Sequence, residues 1–354
     1  MASSKEDRTA EVTEQLGPMS LGESAESKKN ETKPTAENGT TPTLCSACGK
    51  KSDTLMKCRA CKCVWYCDKD CQNKHWKEHK KECKPIKKEL DKRGGKLDVG
   101  TEVDIGPLGK VPPRDECPIC MQVLPIHAKL QTYYACCGKT LCAGCDFQHQ
   151  LKNSEERTCA FCRTAVTESD EEILARQRKR IELKDPDALL STALAHGLGM
   201  LGLPVDETKC VELLNESVAL GFPGAHYQLG AFHATGAMGF QRNKEEADRC
   251  FEKAADGGHL TSRHNLGYSE YENGDPAAAM RHWRLSASGG LRGSMKPLIS
   301  SFQNGWLHHR DLAETLQAMY CARSEMKSES RNEWIKHLKE TGQYTDQGVL
   351  DLYT

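Results

Sequence analysis

The spacing of the cysteines constrains this 354-residue chain more than any other feature. Eight of its 19 cysteines lie between Cys45 and Cys83, and eight more lie between Cys117 and Cys162. The N-terminus has no apolar run behind a basic start, so we expect an unsecreted protein of the cytoplasm or nucleus. Closely paired cysteines in such a reducing compartment usually bind metal rather than form disulfides. The first half of the chain is therefore predicted to contain metal-built domains.

The first cysteine run consists of four closely spaced pairs, enough for two tetrahedral zinc sites with four nitrogen or sulfur ligands each. The pairs are Cys45/Cys48, Cys58/Cys61, Cys67/Cys71 and His79/Cys83. His79 and Cys83 are four residues apart, so on a helix they share one face. Such a small domain has too little core to fold alone, and metal binding would supply its folding energy. Both zinc ions are predicted to be structural.

The sequence "VWYCDKDCQNKHWKEHKKEC" at 64–83 resembles the MYND zinc finger. The resemblance implies interleaved ligands, with one zinc held by Cys45, Cys48, Cys67 and Cys71, and the other by Cys58, Cys61, His79 and Cys83. Cys63 and His75 are then spare. The family mostly captures short proline-containing peptides, and its groove residues match Gln72 and Trp76; simple packing of Trp76 is the alternative.

A basic run follows from Lys74 to Lys96. Because Glu78, Glu82, Glu89 and Asp91 interrupt it, we interpret it as a solvated helix and expect no nucleic-acid partner. Nucleic-acid binding, in a transcription- or chromatin-associated regulator, is the alternative. The net charge of −1 gives the whole molecule no polyanion-binding field.

The second cysteine run also contains four pairs: Cys117/Cys120, Cys136/Cys137, Cys142/Cys145 and Cys159/Cys162. The pattern "CPIC…CCGKTLCAGC…CAFCR" resembles a RING-type finger in an all-cysteine form, since Lys139 stands where a histidine is usual. The resemblance implies one zinc on Cys117, Cys120, Cys142 and Cys145, and a second on Cys136, Cys137, Cys159 and Cys162. Two adjacent ligands require a kinked backbone, which Gly138 would relieve; His127 is the alternative to Cys136.

RING fingers commonly recruit a ubiquitin-conjugating enzyme and supply no nucleophile of their own. The family's apolar contact residue matches Ile119, and the basic residue after its last ligand matches Arg163. Ala160 replaces a usual proline, and the sequence 146–158 lacks a frequent tryptophan. A RING-type E3 ubiquitin ligase is therefore the alternative to a finger that only binds proteins.

The second half of the chain contains internal repeats of 32–37 residues. Leu229-Gly230 aligns with Leu266-Gly267, and segments 187–222 and 293–322 resemble further copies. The pattern resembles Sel-like repeats, which are related to the tetratricopeptide repeat. Such helix pairs bury a continuous core only when they stack, and stacking leaves a concave surface for a partner. Small residues such as Gly230, Ala255 and Gly267 would let the helices approach closely.

The predicted fold is multidomain, with two small cross-braced zinc fingers followed by an all-α helical-repeat solenoid. Its segments are a disordered tail (1–43), a MYND-type finger (44–84), a linker (85–113), a RING-like finger (114–166), a linker or helix (167–184), repeats (185–327), and a capping helix with a tail (328–354). No apolar run is long enough to cross a membrane. The predicted function is a protein-interaction adaptor with four structural zinc ions and no catalytic residue.

Overall fold

The computed structural model describes residues 44–153 and 157–341, apart from the side chain of Lys129. The predicted disordered tail 1–43 and the final residues 342–354 lie outside the described residues. Among the residues that are described, none of the helices combines the length and the apolar character that a bilayer crossing requires.

The described secondary structure consists mainly of two short antiparallel hairpins and a series of α-helices, with two 3₁₀ turns at Ala128–Leu130 and Arg292–Ser294. The first hairpin joins β1 (Met56–Lys57) to β2 (Trp65–Tyr66), and the second joins β3 (Gln131–Tyr134) to β4 (Lys139–Cys142). In chain order the helices are α1 (Lys69–Lys92), α2 (Ala143–Lys152), α3 (Asp170–Glu182), α4 (Pro186–Leu198), α5 (Glu207–Ala219), α6 (Pro223–Thr235), α7 (Lys244–Asp256), α8 (Leu260–Glu272), α9 (Pro276–Ser288), α10 (Met295–Gln303), α11 (His309–Glu325) and α12 (Glu329–Thr341).

The repeat helices begin and end where the local sequence requires. Asp185 caps α4 by accepting from the backbone N–H groups of Asp187 and Ala188, and Pro186 occupies the first turn. Gly199 ends α4 in the left-handed conformation, which only glycine adopts without strain. The helix α6 likewise has Pro223 in its first turn and left-handed Gly236 as its C-cap, but its N-cap Phe222 makes no side-chain hydrogen bond.

The described residues form two compact units. The first unit comprises 44–111 and 263–325, and the second comprises 112–262 and 326–341. The boundary falls inside α8, between Ser262 and Arg263. Each unit thus joins one cysteine-rich finger to helices from the second half of the chain, a pairing that sequence spacing cannot predict.

A single hydrophobic core runs through the first unit. Cys45, Cys61 and Ile86 of the finger belong to the same cluster as Trp283 and Phe302 of the helices. The close approach of α8 and α9 depends on Gly267, because a Cβ atom there would collide with the indole of Trp283. The first finger is therefore a part of a larger folded body.

The connection after α1 is ordered and lies on the first unit. Val103 donates its N–H to the carbonyl of Trp306, at 2.8 Å. Ile105 is only 2% exposed, and Arg284 donates to the carbonyl of Gly106, at 2.9 Å. The predicted linker thus begins as an extension of the helix α1 and continues as a strap over the helices of its unit.

The second unit has separate cores. Leu124, Tyr134 and Leu141 form a small cluster around the cysteines of the finger, whereas Leu189 and Phe232 belong to a cluster between the repeat helices. Gly230 allows α6 to pack closely on Phe251 of α7. The last helix, α12, packs on α2 of the finger: a Cβ atom on Gly144 would lie 2.5 Å from the backbone nitrogen of Arg331.

Candidate metal centres

Four of the cysteine pairs sit in tight backbone knuckles of one common design. In each, the residue after the second cysteine has a positive φ: Gly49 (70°), Lys62 (59°), Met121 (55°) and Arg163 (60°). The N–H of that residue donates to the carbonyl of the first cysteine, at 2.8–3.2 Å. An antiparallel bridge or hairpin closes the base of each knuckle. This turn aims both sulfur atoms of a C-x-x-C pair to the same side.

The other pairs lie where a helix begins, in the middle of α1 in the case of His79/Cys83, or where a hairpin turns. Asp68 caps α1 by accepting from the N–H of Cys71, at 2.7 Å. Cys136 and Cys137 occupy the turn between β3 and β4, where the carbonyl of Tyr134 accepts from the N–H groups of both Cys137 and Gly138. Gly138 has a φ of 68°. The kink anticipated from the sequence is thus present.

The structure brings together the four predicted ligand sets, each with its ligand atoms within 4.8 Å of one another. The sets in the first finger are Cys45/Cys48/Cys67/Cys71 and Cys58/Cys61/His79/Cys83, and those in the second are Cys117/Cys120/Cys142/Cys145 and Cys136/Cys137/Cys159/Cys162. Both fingers are cross-braced, because alternate pairs along the chain converge. His127 is not a member of any of these groups, and Lys139 is exposed.

The spacing of the ligand atoms fits tetrahedral zinc. A zinc–sulfur bond of about 2.3 Å places neighbouring sulfurs of a tetrahedron about 3.8 Å apart. Observed separations are 3.7 Å for Cys48–Cys67, 3.9 Å for Cys58–Cys83 and 3.6 Å for Cys137–Cys159. All 19 cysteines are free thiols. The four tetrads therefore fit four structural zinc ions, and protein atoms fill every coordination position.

The electrostatics of the tetrads call for a cation. Burial and hydrogen bonds to Cys48 and Cys45 raise the pKa of the Cys71 thiol to about 12. Burial and a hydrogen bond to Cys162 likewise raise the pKa of the Cys136 thiol above its usual range. In each of these two sets one thiol ionises more readily instead, because hydrogen bonds outweigh burial and lower the pKa of Cys45 to about 7 and that of Cys162 to about 6. A divalent cation favours the thiolate form of all four ligands, including those that resist ionisation.

The histidine ligand of the first finger is held by a buried polar chain. His79 Nε2 lies 3.4 Å from Cys61 Sγ and so faces the tetrad, while Nδ1 lies 3.4 Å from the hydroxyl of Tyr320. That hydroxyl donates to Glu82 at 2.7 Å, and Glu82 accepts two hydrogen bonds from Arg292, at 2.6 and 2.8 Å. Such outer contacts fix the tautomer and ring orientation of a ligating histidine.

An arginine fills the equivalent position in the second finger. Arg331 of α12 is 1% exposed, and its guanidinium lies 3.5 Å from Cys120 Sγ. It also donates to the backbone carbonyls of Val123, at 2.8 Å, and Gln122, at 3.3 Å. Four thiolates around Zn²⁺ leave a net charge of −2, which a buried guanidinium offsets. Nothing in the sequence marks Arg331 as part of the finger, because it lies 169 residues beyond Cys162.

The spare residues predicted in the first finger are placed in its interior. Cys63 is fully buried, with its sulfur 3.2 Å from His309 Nε2. His75 is also buried, and its Nδ1 lies 3.1 Å from the hydroxyl oxygen of Tyr66. Burial lowers the pKa of His309. These three side chains belong to the core.

The predicted partner-binding residues lie on the surfaces of the two fingers. Trp76 is 43% exposed, and Gln72 lies one turn before it on α1. Ile119 is 45% exposed, and Arg163 is exposed as well. Trp76, Ile119 and Arg163 are thus exposed in the structure, whereas Gln72 is half-buried.

Comparison with known families agrees with these features. A model of the MYND finger matches residues 45–83, and a model of the Sel1 repeat matches residues 186–222, 223–259 and 261–291. The chain carries a MYND finger and three Sel1 repeats. These modules support a zinc-binding protein-interaction adaptor.

Relatives in sequence match this chain over short segments. The chain is 42% identical over 57 residues to the histone-lysine N-methyltransferase ASHR1 of Arabidopsis thaliana, which is 16% of this chain and 12% of that protein. It is 44% identical over 45 residues to the histone-lysine N-methyltransferase Smyd1 of Mus musculus, or 13% of this chain and 9% of that protein. The chain therefore spans about a tenth of the length of these relatives.

Solved structures with similar repeats are more distant. A Sel1 repeat protein from Oxalobacter formigenes is 23% identical with a TM-score of 0.32, covering 35% of this chain and 96% of that one. A protective antigen of uropathogenic Escherichia coli with an SLR fold is 19% identical with a TM-score of 0.36. That match covers 50% of this chain and 38% of the antigen.

Proposed function

We propose that this protein is a zinc-dependent adaptor whose MYND finger captures proline-containing peptides at Gln72 and Trp76. The observation that carries the proposal is the exposure of Trp76 on a rigid support. The helix α1 is fixed by the tetrad residues His79 and Cys83, which lie on the same side as Trp76, and the Trp76 ring packs against that of His79, with centroids 6.2 Å apart. A large aromatic side chain held in this way offers apolar area at little cost in conformational entropy.

The metal ions have a structural role in this proposal. We propose that the sixteen tetrad residues are the zinc ligands, with Cys136 rather than His127 in the last tetrad. The zinc ions would fix the local fold of the fingers, and the peptide would contact side chains rather than metal. The Sel1 repeats would then offer a second surface for protein partners.

Peptide binding is tested with a panel of fluorescein-labelled proline-containing peptides and the zinc-loaded full-length protein. We expect Trp76→Ala to weaken binding at least tenfold and Gln72→Ala to weaken it less. Tyr271→Ala is the matched control, because Tyr271 is an aromatic residue of similar exposure (42%) in the same unit. Equal binding by Trp76→Ala and the parent protein would remove Trp76 from the site.

A RING-type E3 ubiquitin ligase is the second candidate, favoured by the exposure of Ile119 and Arg163 on two knuckles of the second finger. The ligase would bind a charged ubiquitin-conjugating enzyme through Ile119 and would use Arg163 to orient the ubiquitin tail. An autoubiquitination assay with a panel of conjugating enzymes tests this. Activity that is lost in Ile119→Ala and Arg163→Ala but kept in Val205→Ala, another exposed residue of the unit, would support it; no activity with any enzyme would reject it.

A further inference from the structure

The helix α1 has an exposed face built almost entirely of lysine. Seven exposed lysines lie within 15 residues of this helix: Lys74, Lys77, Lys80, Lys81, Lys84, Lys87 and Lys88. We call them the lysine face. At a rise of about 1.5 Å per residue, the face is about 21 Å long. The zinc-ligand residues His79 and Cys83 and the apolar Ile86 and Leu90 are buried on the opposite side of the helix.

Of the four acidic residues that interrupt the basic run in the sequence, only Asp91 is exposed, where it pairs with Lys87, and the other three do not neutralise this face. Glu78, Glu82 and Glu89 are all buried. Glu78 pairs with Arg323 at 3.0 Å, Glu82 with Arg292 at 2.6 Å, and Glu89 with Arg93 at 3.1 Å. Each buried carboxylate thus has its own arginine. The sequence-based expectation of a mixed, solvated helix depended on these acids, and burial removes them from the surface.

The arrangement works against the stability of the isolated helix. Lys77, Lys80, Lys84 and Lys88 follow one another at intervals of three and four residues, so they are neighbours on one side of α1. Like charges at this spacing repel each other. Among the described residues, no ion pair within 4 Å involves these four lysines; on the same helix, Lys87 pairs with Asp91. A bound polyanion would turn the repulsion into attraction.

We propose that the lysine face binds the sugar-phosphate backbone of a nucleic-acid duplex without reading its sequence. A linear row of positive charges about 21 Å long complements a linear row of phosphates. The flexible ammonium groups of lysine contact phosphates as point charges, and the lysine face includes no arginine, the residue that most often reads guanine. A membrane surface fits less well, because the apolar side of α1 is buried in the first unit rather than available to lipid.

Binding is measured by fluorescence anisotropy with a fluorescein-labelled 20-base-pair duplex and the zinc-loaded full-length protein. We expect binding that is equal for two unrelated sequences and falls steeply with salt. Contact with four or five phosphates predicts a slope of about −4 in a plot of log K against log salt concentration. A slope near zero, or no binding in 50 mM salt, would overturn the proposal.

The decisive variant is Lys80→Glu/Lys84→Glu/Lys88→Glu. We expect it to weaken duplex binding at least tenfold and to reduce the salt slope by about 3, or one per lysine removed. The matched control is Lys209→Glu/Lys253→Glu/Lys296→Glu, which makes the same change in net charge at exposed lysines elsewhere. Equal losses in the two variants would show that overall charge, not the lysine face, governs binding. Zinc content and thermal unfolding of each variant establish that it is folded.

Two competitors identify the class of partner. A poly-glutamate peptide and phosphatidylserine vesicles are each compared with the duplex at equal charge. Tighter binding of either one, with loss in the lysine-face variant, would overturn the assignment to nucleic acid. Because Trp76 is unchanged in this variant, peptide capture by the MYND finger is measured separately, so the two proposals succeed or fail independently.

Discussion

The two fingers are both cross-braced by alternate ligand pairs but are supported in different ways. The first finger shares one continuous core with α9, α10 and α11, and its cysteines are members of that core. The second finger keeps a small cluster of its own and receives α12 as an added helix. Cross-bracing by metal therefore fixes the local fold of a finger, while the surrounding chain determines how much else depends on that metal.

The chemistry next to each metal centre also differs with the charge of its ligands. A Cys₃His site with neutral histidine carries a net charge of −1, and the structure places the hydroxyl of Tyr320 beside that histidine. A Cys₄ site carries −2, and the structure places the guanidinium of Arg331 beside one of its sulfurs. At these two sites the outer contact accords with the charge of the ligand set.

Removal of zinc should have the largest effect on stability, and the loss of amide protection should differ between the two units. Structural sites contribute roughly 10–16 kcal/mol each. After exhaustive chelation, we expect hydrogen exchange to show loss of amide protection throughout 44–111 and 263–325, because the core of the first unit contains zinc ligands. Residues 186–256 should keep more protection, because their core around Leu189 and Phe232 contains none. Metal analysis should give four zinc ions per chain before chelation, and uniform loss of protection would contradict the distinction.

Loss of a buried ion pair should give the next largest effect. Arg323→Ala leaves Glu78 without its guanidinium in the interior, and such a change typically costs about 3–5 kcal/mol. Urea unfolding of the zinc-loaded protein measures the loss. Arg249→Ala is the control, because its pair with Glu246 is exposed and is worth at most about 1 kcal/mol. Equal destabilisation by the two variants would contradict the role of the buried pair.

Arg331→Ala should accelerate zinc loss from one site of the second finger. Outer contacts of metal ligands are worth about 10–100-fold in metal affinity, and we expect the upper end for a fully buried charge. The measurement is thiol alkylation mapped by mass spectrometry during competition with a zinc chelator. Cys117, Cys120, Cys142 and Cys145 should become reactive first, Arg331→Lys should be intermediate, and exposed Lys336→Ala should match the parent. Equal acceleration at all four sites would indicate general unfolding instead.

Tyr320→Phe should have a smaller effect in the first finger. The variant removes the hydroxyl beside His79 but keeps the ring, so we expect about a tenfold faster loss of zinc from the Cys58/Cys61/His79/Cys83 site. The same alkylation experiment measures this zinc loss from the reactivity of Cys58, Cys61 and Cys83. The second finger serves as the internal control, and faster release there would argue against a local contact.

The smallest predicted effect concerns Asp187 in the second unit, near the start of α4. Burial and the nearby negative charges of Asp185 and Asp115 raise the pKa of its carboxyl group to about 6. A raised carboxyl pKa means that the folded protein binds the proton more tightly than the unfolded chain, so stability falls as pH rises from about 4 to about 6. Asp187→Asn should therefore stabilise the unit by about 1 kcal/mol at pH 7 and by nothing near pH 4. The exposed Glu245→Gln should show no such pH-dependent gain in melting temperature.

The sequence alone determined the elements that depend on local spacing. The closely paired cysteines predicted metal-built fingers, and the period of the Leu-Gly pattern predicted stacked helix pairs with Gly230 and Gly267 at close crossings, as the structure shows. The adjacent Cys136 and Cys137 predicted a kinked turn at Gly138, also present. These features are readable because tetrahedral coordination and helical periodicity act over short stretches of chain.

Only the tertiary structure decided which distant parts of the chain complete each finger. It paired Tyr320 with His79 and Arg331 with Cys120, in each case across more than 200 residues. It also buried Glu78, Glu82 and Glu89, which changed a mixed helix in the sequence into a lysine face on the surface. Burial and long-range pairing depend on how whole helices pack, and no local pattern of residues contains that information.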